Sequence, residues 1–218
     1  MSPILGKVWT NGVASSEIDS REEGLPGARY SIVCDDLTRL NHSCGPNTHK
    51  YSHMPSFSVH LRAMRGIKKD EEITAASCDP DASYATRRAH LARLGIRYTC
   101  PACVKPATSD VRHDRIRTIF GGYGTSGSET KNFKLPKSTS VEAVVDGLNL
   151  VEAEGLQGTA AYSLGLYLMM LAYSANRDMT NAQMRARRYC TWRLAIDGTD
   201  MDEVAEELVQ AVERIQKS

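Results

Sequence analysis

The sequence has no apolar run near the roughly 18 residues that a membrane span requires. It has almost no excess of charge: 27 lysines and arginines stand against 26 aspartates and glutamates, a formal +1. That balance removes the electrostatic footprint expected of a nucleic-acid binder or of a protein drawn to an anionic membrane. The opening residues 1–8 hold one lysine and no long apolar core, so a secretory signal is not expected. Without one, the six cysteines (Cys34, Cys44, Cys78, Cys100, Cys103 and Cys190) read as reduced thiols or metal ligands rather than as a disulfide framework. An apolar content of 41% is too high for a disordered chain. With 218 residues there is length for one large domain or two small ones, in an intracellular protein.

The composition changes near residue 105. Residues 1–104 hold most of the cysteines, most of the histidines and the turn-forming clusters. Phe57, Val59, Leu61 and Ala63 alternate with Ser58, His60 and Arg62, the pattern of a half-buried strand. Residues 73–76 read as a second short strand. Ser83 is placed to cap a helix running to Leu94, with Gly95 where a left-handed terminating residue is wanted. Residues 105–140, rich in Gly, Ser, Thr and Lys, read as a linker or long loop. Residues 141–218 then carry helical periodicity: Val141, Val144, Val145 and Leu148, a strongly apolar helix over 159–176, and a helix ending at Gly198 with Thr180 and Gln183 as its capping box. Thr199 with Asp202 opens a last helix carrying Val204, Leu208, Ala211 and Ile215. The expected fold class is α+β, short strands followed by an α-helical bundle in which antiparallel, tetratricopeptide-like stacking is compatible.

Residues 39–47 read R-L-N-H-S-C-G-P-N. Taken singly, these are polar turn formers. As a string they resemble the N-H-S-C-x-P-N signature of SET domains. Residues 67–74, I-K-K-D-E-E-I-T, are similar to that family's I-x-x-G-E-E-I-T segment, and residues 94–103, L-G-I-R-Y-T-C-P-A-C, resemble its post-SET tail, F-x-C-x-C-x-x-C. Thr10-Asn11-Gly12 resembles the T-N-x stretch of the SET-and-MYND class. The resemblance covers roughly residues 6–103, and the helical tail fits the same class.

The resemblance implies a partial SET β-fold in which the signature loop threads beside the acidic strand. It also implies a protein-lysine N-methyltransferase lineage using S-adenosylmethionine, contacted by Asn41 and His42, and acting on a protein substrate in the nucleus or cytoplasm. Zinc would be held by Cys44, Cys100 and Cys103. Three departures accompany these implications. The family's catalytic tyrosine, last in G-E-E-I-T-x-x-Y, is Ser77 here. Tyr98 stands where the first tail cysteine belongs, leaving Cys34, Cys78 or water as the fourth ligand. The G-x-G turn of the front strands has no counterpart, since Gly6 and Gly12 are too far apart to form it. The expectation is an impaired enzyme. The alternative is a non-catalytic protein-interaction module built on a degenerate SET domain, with a protein partner. Neither a nucleic-acid nor a membrane partner is expected.

Overall fold

The computed structural model describes residues 12–15, 30–53, 56, 58–96, 99–120 and 140–198. Within them, short strands precede a run of helices. β1 (Gly12–Ser15) pairs antiparallel with β2 (Tyr30–Val33), Gly12 opposite Val33. A single helical turn, α1 (Asp35–Thr38), leads into β3 (Asn41–His42), which pairs in parallel with β6 (Thr74–Ala75). Between them in sequence lies an antiparallel ribbon of β4 (Thr48–His53) and β5 (Ser58–Ala63), with Tyr51 opposite His60.

The expected strand at residues 57–63 is present from Ser58, Phe57 lying outside the described residues. Its alternation does not divide it into a buried and an exposed face, because residues 58–62 are all half-buried. A helix covers the ribbon from above: Arg62 stacks 5.3 Å over the Tyr51 ring and donates to the Leu194 carbonyl.

The helix read from its caps is where expected. α2 (Tyr84–Arg93) is capped by Ser83, whose hydroxyl accepts from the Thr86 amide at 3.4 Å, and it ends before Gly95 at φ 69°. A short α3 (Pro101–Val104) follows, with Cys100 at its N-cap. The linker expected over 105–140 is corrected in its first half: Pro106–Phe120 form a helix, α4, while residues 121–139 lie outside the described residues. α4 buries Ser109, His113, Ile116 and Phe120, spaced to lie on one face.

α5 (Val141–Glu154) starts at the Ser140 cap and stops at Gly155. α6 (Ala160–Ala175) is apolar nearly all round, as suits a helix enclosed by neighbours; Leu166, Leu168, Met169 and Met170 are within 1% of full burial. α7 (Met179–Asp197) is capped by Asp178, which accepts from the Asn181 amide at 3.2 Å. The expected Thr180–Gln183 box is therefore corrected: Thr180 already lies inside the helix. The helix expected from residue 199 falls outside the described residues. α4 to α7 pack on one another in chain order around a shared apolar core. Among the described residues, no helix is long and apolar enough to cross a membrane.

Candidate active site and cysteine cluster

The two motif segments are joined by their own side chains. β3 lies beside β6, and the Ser43 amide donates to the Ala75 carbonyl at 3.2 Å. The Asn41 amide donates to the Glu72 carboxylate. Asn47, 1% exposed, donates to the Glu71 carboxylate at 3.2 Å and to the Glu72 carbonyl at 2.8 Å, while its own oxygen accepts from the Thr74 amide at 2.8 Å. Each asparagine of the signature therefore grips one glutamate of the acidic segment. Glu71 is held down to about 2 by Arg65, by the Lys68 amide and by Asn47.

Cys44, Cys100 and Cys103 meet behind this junction, their sulfurs within 4.8 Å of one another. Cys44 Sγ lies 3.5 Å from Cys103 Sγ, and the Cys44 amide faces Cys100 Sγ at 3.5 Å. Zinc–sulfur bonds of about 2.3 Å in a tetrahedron separate sulfurs by about 3.8 Å, so the spacing and the soft donors both suit a metal ion. Cys44 and Cys103 are buried. Cys100 is pushed up to about 12 by its hydrogen bond with Cys44 and by burial. Burial also raises Cys103. Cys44 is pulled down by Cys100 but raised overall by Cys78 and burial. Of the two cysteines expected as alternatives, Cys78 reaches Cys44 and His42, and Cys34 joins neither group of candidate ligands. Tyr98 lies outside the described residues.

A family model described as the SET domain matches residues 13–76. Those residues carry a SET domain. The Arabidopsis thaliana histone-lysine N-methyltransferase ATXR2 is 30% identical over 91 residues, covering 38% of this chain and 19% of the relative. The chain thus spans about a fifth of the length of that curated relative.

The SET-domain signature histidine is not free to turn its ring toward a cofactor. His42 Nδ1 accepts from the Ser77 amide at 3.0 Å, which leaves the ring proton on Nε2, 3.2 Å from Cys44 Sγ. Ser77, half-buried, is thereby fixed by its backbone two residues after β6. The SET motif also explains Asp70. The family pattern has glycine at this position, and Asp70 holds φ 66°, a left-handed conformation that L-residues disfavour. Asp70→Gly should stabilise the protein by up to about 1 kcal/mol, read from the urea midpoint. A lowered midpoint would mean that the Asp70 side chain supplies more than the backbone costs it.

A buried polar network lies beside the SET junction. Glu154 at the end of α5 accepts from Arg112 and Ser109, each at 2.7 Å, and its carboxylate lies 3.6 Å from His113 Nε2. Burial works against its charge, but those donors hold its pKa low. Burial and the nearby Arg87 charge keep His113 below its usual range. Arg87, fully buried, donates through Nη1 to the Ala82 carbonyl at 2.5 Å and to His113 Nδ1 at 3.2 Å. Nothing in a lone arginine or histidine on a helix marks such a network; only the recurrence at 109, 113 and 116 hints that the face turns inward.

Proposed function

We propose that the chain is of the protein-lysine N-methyltransferase lineage and uses S-adenosylmethionine, with methyl transfer impaired at Ser77. The reading is supported above all by the mutual grip of Asn41 with Glu72 and of Asn47 with Glu71, which brings the signature loop and the acidic strand into one structure. S-adenosylmethionine would supply a methyl group to a lysine amine by in-line displacement, a reaction that gains chiefly from positioning. Asn41 is exposed and keeps an amide oxygen for such a ligand, while His42 would contact it through its backbone because its ring is engaged elsewhere. At Ser77 a hydroxyl replaces a phenol and ends on the order of an aromatic ring's length short of the amine. Loss of a positioned group of that kind costs about 10²–10⁴ in rate. Cys44, Cys100 and Cys103 would hold a structural zinc that ties the tail to the signature loop. The substrate class is a protein lysine, and histones are the first proteins to test, given the activity named for the Arabidopsis relative.

Calorimetric titration with S-adenosylmethionine tests the cofactor, and tritium transfer to histones and to a lysine-rich protein mixture tests the chemistry. Four proteins are compared: with and without Ser77→Tyr, each with and without the G-x-G strands of a relative joined in front. Transfer should appear where both additions are present, with the tyrosine raising turnover by about 10²–10⁴. Robust transfer by the unaltered chain would sink the impairment. Absence of cofactor heat and of transfer in all four would favour the alternative, a non-catalytic module whose tetratricopeptide-like helices take a protein partner.

A further inference from the structure

We propose that Cys78 is the fourth ligand of the metal centre, in the place that the tail motif gives to Tyr98, and that the buried Arg87 balances the charge of the resulting thiolate cluster. The inference rests on the zinc reading above and adds to it a ligand that the family pattern does not contain. Two groups of candidate donors share Cys44: Cys44 with Cys100 and Cys103, and Cys44 with His42 and Cys78. They share only Cys44, so ligation by Cys78 would draw its sulfur in toward Cys100 and Cys103; between them the groups offer one donor more than a closed tetrahedral zinc takes. His42 is removed by its own hydrogen bonds. Its Nδ1 lone pair is occupied by the Ser77 amide, so Nε2 carries the proton and has no lone pair to give a metal. That ring can instead donate Nε2–H to Cys44 Sγ, the outer-shell contact that orients a thiolate ligand. Cys78 is the donor that remains.

The charge around Cys78 points the same way. Four thiolates around one divalent zinc carry a net double negative charge, which a buried site tolerates only beside a cation. Arg87 is fully buried, and its Nε and Nη2 have no hydrogen-bond partner among the described residues. Its charge acts on both Cys78 and Cys103. The buried carboxylate nearby does not use it: Glu154 is taken by Arg112 and Ser109, and only His113 stands between. A buried guanidinium with two unpaired donors is costly in a neutral thiol environment and well placed beside an anionic cluster. Cys78 follows Ser77, so ligation would also pin the segment that carries the position of the family tyrosine.

The test begins on the unaltered chain, loaded with zinc and labelled with iodoacetamide before peptide mass spectrometry. Cys78 should be protected with zinc and should label after chelation, together with Cys100. Equal labelling of Cys78 with and without zinc, while Cys100 is protected, would overturn the inference and leave the zinc reading standing. No zinc bound at all would remove both. Cobalt substitution gives the ligand count: Cys78→Ser should lose about a quarter of the thiolate-to-cobalt charge-transfer intensity, and His42→Gln should keep it. Arg87→Met should keep the thiolate count and weaken zinc binding on the order of 10–100-fold. Unchanged zinc affinity in Arg87→Met would overturn the role given to that arginine.

Discussion

Gly45→Ala should lower the stability of the protein by about 3 kcal/mol, the upper end of the usual cost of overpacking, and shift the urea midpoint without changing the slope. Gly45 is the variable position of N-H-S-C-x-P-N, and it lies against the turn that ends α5. A Cβ built there would fall inside the Glu154 carbonyl oxygen and stand 3.2 Å from Gly155 Cα. The contact is equally closed from the other side, where a Cβ on Gly155 would meet Gly45 Cα at 2.8 Å. Both obstacles are backbone, so no side chain can rotate away. Gly155→Ala should cost more still, because φ 72° adds a left-handed penalty of about 1–2 kcal/mol to the clash. Gly66→Ala is the control: among the described residues, nothing beyond its chain neighbours lies within 4 Å of its Cβ, and a change within about ±0.5 kcal/mol is expected. If Gly45→Ala behaved like Gly66→Ala, the signature loop and the helical tail would not touch in solution.

This contact separates what the sequence makes legible from what it hides. The strings around Asn41, Glu71 and Cys100 could be read because their residues are one another's partners: Asn41 needs Glu72, Asn47 needs Glu71, and Cys44 needs Cys100 and Cys103. Ser83 and Gly95 were legible for a local reason, since capping chemistry lies within a turn of the helix end it serves. Strands β3 and β6 are two residues each, too short for any period, and their parallel pairing follows only from the motif resemblance. α4 was hidden because half of its buried stripe, Ser109 and His113, is polar. Its inward face is stabilised by Glu154 rather than by apolar burial alone, and that partner lies 45 residues from Ser109. Arg87 was hidden for the same reason, and Cys78 stood only as one of three alternatives for the fourth ligand: each draws its meaning from groups that the chain brings together only when folded.

Phe120→Ala should cost about 3–5 kcal/mol, the range for emptying a large aromatic site in a core that cannot collapse around it. Phe120 ends α4 at 3% exposure, and its ring occupies a notch left by glycines on two other helices. A Cβ on Gly147 of α5 would stand 2.6 Å from the ring's Cε2, and a Cβ on Gly165 of α6 would stand 3.2 Å from its Cζ. One side chain therefore fixes how three helices approach. The notch gives a sharper test than the single deletion. Gly147→Ala alone must displace the ring, whose surroundings are packed, whereas after Phe120→Leu the added methyl has room. The penalty of Gly147→Ala should therefore shrink in the Phe120→Leu background, with a coupling of about 0.5–3 kcal/mol in a double-mutant cycle. Strict additivity would mean that the ring does not sit over Gly147, and that α4 docks on the bundle through Ile116, Ile119 and the Glu154 network.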